Sequence, residues 1–260
     1  MLSTLASYQM ISSNLAKWQA MTQAEPDVTT ATNYYQQNIG SVKSVDDFLN
    51  NDRLFTYAMT AFGLGDMSYA KGLIRQVLQG GVTDTSSLAN TMTDTRFKAF
   101  ATAFDFTGKG ASVTTTAVAT TDVVNKYVQQ TTETDAGQQN DGVRLALYFQ
   151  RMAPTITSPY QILGDKALLT VVQTALGISP MTSAQDIDLQ ATNISSKLNI
   201  ADLQDPTKVQ NFVQRFAAMY DMNNTDPTQI SPALSLFNTS SGPTFSTDLL
   251  MSLQNLRLGG

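Results

Sequence analysis

The sequence predicts an all-α protein with a duplicated helical unit, whose two copies form either two similar subdomains or one pseudo-symmetric helical bundle. Three observations carry this expectation. A gap-free match pairs residues 34–64 with residues 148–178, and apolar residues recur at three-to-four spacing along most of the chain. Strand-like runs are few, and residues 113–118 are the best of a weak set.

The elements follow in order. Residues 1–23 form an N-terminal amphipathic helix, with Leu5, Tyr8, Ile11, Leu15, Trp18 and Met21 in one stripe. Such a stripe packs on the chain's own body or receives a helix from another chain. Residues 24–106 are the first helical unit and residues 143–222 the second. Between the matched stretches nine pairs are identical: Tyr34/Tyr148, Gln36/Gln150, Ser44/Ser158, Leu49/Leu163, Leu54/Leu168, Thr56/Thr170, Thr60/Thr174, Ala61/Ala175 and Gly63/Gly177. Ser44 and Ser158 are placed to cap helix starts, with Asp47 and Gln161 three residues on and Pro159 at a first helical position, where its missing N–H costs nothing. Gly63 and Gly177 follow the last turn. Each copy therefore reads as one capped, amphipathic helix ended by glycine.

A second block repeats at a slightly shorter offset. Phe97, Phe100 and Phe104 correspond to Val209, Phe212 and Phe216, an apolar stripe at i, i+3, i+7. Asp94 and Asp205 stand where caps belong, the latter followed by Pro206. A different insert separates the paired helices in each copy: a helix over 67–79 ended by Gly80-Gly81 in the first, and residues 183–199 in the second. Residues 107–142 read as a Thr-rich link and connecting helix, the stretch 107–120 being the link itself. Residues 223–260 read as a loop, beginning near Asp221, and a C-terminal amphipathic helix bearing Leu249, Leu253 and Leu256 before Gly259-Gly260.

Composition narrows the function. The charged fraction is 14%, against about 25% in a typical soluble domain, so Thr, Ser, Asn and Gln must keep the surface wet. A net charge of −5 with sixteen scattered Lys and Arg leaves no basic stripe for phosphates, which argues against nucleic acid. No polybasic run flanks the amphipathic segments, and no apolar run approaches a membrane-spanning length, so membrane insertion is not expected. The first thirty residues carry no basic stretch before an apolar block, so no cleaved secretory signal is evident. Cys and His are both absent. Disulfides, thiolate nucleophiles, imidazole bases and the usual zinc ligands are thereby excluded, and catalysis would have to rest on carboxylates, Lys, Tyr or hydroxyls.

The chemical motifs fail on inspection. Thr107-Gly108-Lys109-Gly110 lacks both the upstream glycine of a phosphate loop and the hydroxyl residue after Lys, and reads as flexible link. Gly63-Leu64-Gly65 lacks a third glycine and follows a helix. The run beginning Asp221-Met222-Asn223 has Asp226 where a calcium loop needs Gly and Pro232 where it needs Glu. Asp46-Asp47 sit in a helix's first turn, where the macrodipole favours them, and Asp186 and Asp188 point to different sides of their helix. The expectation is no catalytic residue, no metal, no cofactor and no enzyme activity.

Four phrases resemble a bacterial family of unknown function whose genes often lie among flagellar genes. They are Ser44-Val45-Asp46-Asp47-Phe48-Leu49, Tyr57-Ala58-Met59-Thr60-Ala61-Phe62-Gly63-Leu64, Gly142-Val143-Arg144-Leu145-Ala146-Leu147-Tyr148-Phe149 and Ile162-Leu163-Gly164-Asp165-Lys166-Ala167-Leu168. The resemblance covers most of residues 1–222, and residues 142–149 are its most specific part. It implies no enzyme activity and no cofactor. It does imply a flagellar association, which fits a Cys-free chain, low in charge, with amphipathic segments at both ends. The expected role is a structural or assembly protein that engages protein partners, flagellar components among them, through Leu5, Tyr8, Ile11, Leu15, Trp18, Leu249, Leu253 and Leu256. The alternative is a cytoplasmic helical binding module, a regulator or export chaperone. The chain would accordingly be cytoplasmic or exported by the flagellar route.

Overall fold

Short polar side chains set the helix starts in this chain. In the computed structural model, which describes residues 2–224, Ser3, Ser44, Asn51, Asp94, Asn140, Ser158 and Asp165 each accept a hydrogen bond from a backbone N–H of the helix that follows. Each bond satisfies a donor the helix itself leaves unpaired. The described residues are helical throughout, with α-helices joined by turns and short 3-10 segments and no strand.

Helices α1 (Thr4–Ser12) and α2 (Leu15–Gln23) replace the single N-terminal helix expected over 1–23. The break falls at Ser13 and Asn14, where Ser13 Oγ donates to the Met10 carbonyl. Ser and Asn compete for backbone groups in this way and weaken helix interiors.

Helices α3 (Pro26–Asn38), α4 (Val45–Asn50), α5 (Asp52–Ala61), α6 (Lys71–Gly80), α7 (Leu88–Thr91), α8 (Thr95–Ala103) and α9 (Phe106–Lys109) follow. They close over one core. Phe48 stacks on Phe104 with centroids 4.6 Å apart, and Phe62 meets Phe100 edge-on at 5.4 Å. Each such fully buried ring contributes about 1.5–3 kcal/mol by leaving water.

The matched stretches each hold two helices where one was expected. In the first, Asn51 ends α4 and caps α5. In the second, α12 (Pro159–Leu163) stops at Gly164, and Asp165 caps α13 (Lys166–Leu176). The capping side chain restarts the helix on a new axis.

The stretch 107–120, expected as flexible link, is packed. It forms α9 and a 3-10 segment, Gly110–Thr115. Val113, Thr114 and Ala119 are buried, Thr114 Oγ1 donates to the Val42 carbonyl at 3.0 Å, and Ala119 O accepts the Tyr35 hydroxyl at 2.6 Å. The hydroxyls that made the stretch read as loop are what tie it down. Residues 113–118 are accordingly not a strand.

Helix α10 (Thr121–Gln139) is 19 residues, about 28 Å, and packs on α5, on α2 and on α11 (Asp141–Met152). Helices α11 to α13, α14 (Ile187–Ser195) and α15 (Pro206–Asn224) enclose a second core around Phe149, Ile162, Val172 and Phe216. Leu176 packs against it. Helix α1 joins it too, through Tyr8 and Ile11. Residues 221–224, expected as the beginning of a loop, are helical because α15 continues to Asn224, and the rest of that expected loop lies outside the described residues.

Threonine's abundance is accommodated by back-bonding. Thr30, Thr102, Thr134 and Thr170 each donate to the carbonyl four residues earlier, which satisfies the hydroxyl on an exposed helix face without a charge.

Candidate functional site

Two polar constellations stand out, and they differ in what they leave open. The first is internal. Arg96 on α8 pairs with Asp94 at 2.8 Å, donates to the Gly63 carbonyl at 2.6 Å, and lies 3.5 Å from Asp165. Asp165 accepts the Tyr148 hydroxyl. Beyond Tyr148, Arg151 stands 5.0 Å from its ring centroid, grips Glu133 of α10 through two bonds of 2.6 and 2.7 Å, and reaches Gln130 at 2.8 Å.

Burial costs these charges their hydration, so each needs its partner. Burial, then the adjacent Asp165 carboxylate, push the Tyr148 hydroxyl well up. Burial alone would lower the Arg96 guanidinium, but Asp94 and Asp165 hold it protonated and push it up. Every charged group in this chain of contacts is engaged by a neighbour. It joins α8, α10, α11 and the start of α13 and works as a clamp.

The second constellation is a groove of about 280 Å³ along α10. Its floor is Thr132, Asp135, Ala136 and Gln139, at i, i+3, i+4 and i+7 of α10, continued by Asn140 and Val143. Its walls are Leu2, Ser7, Met10 and Ile11 on one side and Trp18, Met21, Thr22 and Glu25 on the other. Hydrogen bonds pin both ends: Asn140 Nδ2 donates to Thr4 Oγ1 at 2.9 Å, and Thr132 Oγ1 to Thr22 Oγ1 at 3.1 Å. From Thr132 to Asn140 the floor is about 12 Å long, two helical turns.

Met10 and Met21 are 46% and 52% exposed on its rim. Its lining holds two carboxylates, Glu25 and Asp135, and no Lys or Arg. Asp135 Oδ1 accepts a bond from Gln138 at 3.3 Å, while Oδ2 is buried with no hydrogen-bond partner. Burial, then the neighbouring Asp27 carboxylate, push Asp135 up. Burial, then Asp135 and Asp27, do the same to Glu25.

A wider, shallower depression of about 370 Å³ lies beside Tyr34, Arg53, Tyr57 and Tyr127. Its aromatic and cationic groups already serve one another: Arg53 sits 3.6 Å over Tyr34, and Tyr57 stacks on Tyr35 and Tyr127.

The residues expected to meet a partner divide. Tyr8 and Ile11 lie inside the second core, Leu5 is half-buried, and Leu15 and Trp18 pack half-buried against that core. Ile11 and Trp18 also line the groove. Leu249, Leu253 and Leu256 lie outside the described residues. Sequence reading missed the α10 face, although the spacing of Thr132, Asp135, Ala136 and Gln139 was there to be read as one stripe. Among the described residues no group of three acidic side chains is arranged to hold a metal ion, and no helix is long and apolar enough to cross a membrane.

Comparison with known proteins gives relatives without a stated activity. No protein of curated function matches the chain. The crystal structure of protein AGR_C_984 from Agrobacterium tumefaciens is 44% identical, matches 86% of this chain and 97% of its own, and superposes with a TM-score of 0.78. A family described as proteins of unknown function, DUF1217, matches over residues 61–209. These residues include two of the four phrases that carried the resemblance whole, 142–149 and 162–168, and the second half of a third, 57–64, and the chain belongs to that DUF1217 family.

Proposed function

We propose that this chain is a non-enzymatic structural or assembly protein of the bacterial flagellum that engages a protein partner through the groove beside α10. The observation that carries the partner reading is the groove itself: an apolar-walled channel two helical turns long, rimmed by exposed Met10 and Met21. Methionine at a surface rim adapts to varied partner shapes, and isolated apolar side chains are commonplace where a grooved set is not. The flagellar association rests on the resemblance of the four phrases and on a Cys-free composition low in charge. It goes with either residence in the cytoplasm or export by the flagellar route.

The same reading includes a duplicated unit. Its support is recurrence of particular bonds at one offset. Asp47 Oδ2 accepts from Lys43 N, and Gln161 Oε1 from Thr157 N. The Tyr34 hydroxyl donates to Asn51, and that of Tyr148 to Asp165. Asn51 caps Leu54 N, and Asp165 caps Leu168 N. Leu64 N reaches the Met59 carbonyl, and Ile178 N that of Gln173, each at 2.8 Å beside a glycine with φ of 71° or 64°. All these pairs are separated by the spacing of the sequence match.

The test is affinity purification at native expression of the parent chain and of a Met10→Glu, Met21→Glu double variant. Flagellar components are expected with the parent and lost with the variant. Recovery of the same partners with both would sink the groove reading, and partners that include no flagellar component would sink the flagellar one.

A further inference from the structure

We propose that the occupant of the groove is an amphipathic helix of a protein partner that carries two turns of apolar side chains and an Arg or Lys beside them. The proposal rests on the partner reading above and adds the partner's chemistry. Length sets the first part. The floor from Thr132 to Asn140 spans about 12 Å, and apolar anchors at i, i+4 and i+7 of a helix span about 10 Å. Three anchors therefore fit between the Thr22–Thr132 and Thr4–Asn140 bonds that pin the two ends.

Charge sets the second part. Glu25 and Asp135 share the Thr132 end of the groove, and Asp27 is close enough to act on both. No ion pair among the described residues involves any of the three. By contrast, the carboxylates of the internal clamp are each matched to an Arg. Asp135 lines this space, and its Oδ2 is buried without a hydrogen-bond partner, so its charge is poorly compensated from within the chain. A cation arriving with the partner would relieve the repulsion among the three carboxylates. Trp18 also lines the groove.

Trp18 is the single tryptophan of the chain, so its fluorescence reports groove occupancy in the full-length protein. The probe is a synthetic 15-residue helical peptide, free of aromatic residues, with Leu at i, i+4 and i+7 and Arg directly after the last Leu. Its analogue has Gln in place of Arg. The expected result is a saturable blue shift with the Arg peptide and binding about tenfold weaker for the Gln analogue, as for loss of one charge-assisted contact. In an Asp135→Asn, Glu25→Gln variant, checked for native helicity by circular dichroism, the two peptides should bind alike.

Equal binding of both peptides to the parent chain would overturn the cation requirement and leave the groove reading standing. Failure of both peptides to shift Trp18 would overturn both. A shift produced by dodecyltrimethylammonium below its micelle concentration, with none from either peptide, would assign the groove to a small cationic amphiphile and overturn the helix.

Discussion

Replacing Asp165 separates the tasks that one buried carboxylate performs. Oδ1 accepts from Ala167 N at 2.8 Å and Leu168 N at 3.2 Å, while Oδ2 accepts the Tyr148 hydroxyl and lies 3.5 Å from Arg96. The residue is 3% exposed. In Asp165→Ala the lost cap costs about 1 kcal/mol. The stranded Tyr148 hydroxyl costs about 1–3 kcal/mol more. Arg96 keeps Asp94 and the Gly63 carbonyl, so its share is smaller, about 0.5–1 kcal/mol. The total is about 2.5–5 kcal/mol, which overlaps the range for breaking a buried ionic contact.

Asp165→Asn should cost only about 1 kcal/mol, because an amide still caps the helix and accepts from Tyr148. The chain already uses that arrangement at Asn51, whose Oδ1 accepts Leu54 N at 3.2 Å and the Tyr34 hydroxyl at 3.4 Å. The assay is urea unfolding at pH 7 followed by circular dichroism, with Tyr148→Phe completing a double-mutant cycle. In the Phe background, Asp165→Ala should cost about 1–2 kcal/mol less than in the parent. Equal losses for Asp165→Ala and Asp165→Asn, or a coupling to Tyr148 near zero, would refute the assignment of these tasks.

Three further outcomes are expected. A Cβ at Gly142 would stand 2.5 Å from a Tyr220 ring carbon and 2.9 Å from Thr4 Cγ2, so Gly142→Val should lose about 1–3 kcal/mol, read as a fall in Tm; an unchanged Tm would show that α1, α11 and α15 meet differently. Gly177 has φ 64° with nothing within 4 Å of its would-be Cβ, so Gly177→Ala should cost about 1–2 kcal/mol from backbone strain alone, whereas Gly40→Ala, equally open but without the positive φ, should change urea stability by under about 0.5 kcal/mol. Asp135 is pushed up by burial and Asp27, with Glu25 also facing it, so its charged form opposes folding. Asp135→Asn should therefore stabilise by at most roughly 0.5 kcal/mol at pH 7 after solvent screening. That gain should fade as pH drops through the raised value and be gone below the unfolded carboxylate range of about 3.9; a gain that grew on acidification would contradict the sign.

Local chemistry made the helix termini legible and left the axes between them hidden. Ser44 and Ser158 cap as expected, and Gly63 and Gly177 take positive φ as expected. What could not be read was that Asn51 and Asp165 restart the helix, since a mid-segment Asn or Asp is a poor helix former in one context and a cap in another. The stretch 107–120 failed for a related reason. Its threonines read as loop by composition, yet the partners that order the stretch, Val42 for Thr114 and Tyr35 for Ala119, lie 72 and 84 residues away. The groove was half legible: the α1–α2 stripe that walls it is periodic, but its floor belongs to α10, and nothing in either segment names the other.

The placement of α1 changes how partner binding can be tested. Removing residues 1–23 is the natural experiment on an N-terminal amphipathic segment, but here it would strip Tyr8 and Ile11 from the second core and uncover the part of α11 on which α1 packs. Tyr8 and Ile11 are 1% and 6% exposed, and burial of two such side chains contributes about 3–6 kcal/mol. Against a total stability of about 5–15 kcal/mol for a typical domain, the truncated chain would lose partners by unfolding, whatever the groove does. Met10 and Met21 leave the same stripe's outer edge in water, so Met10→Glu and Met21→Glu change the groove and spare the core. A stability difference between parent and double variant below about 0.5 kcal/mol, together with loss of partners, would separate recognition from folding; a large stability loss would mean that the rim, too, belongs to the core.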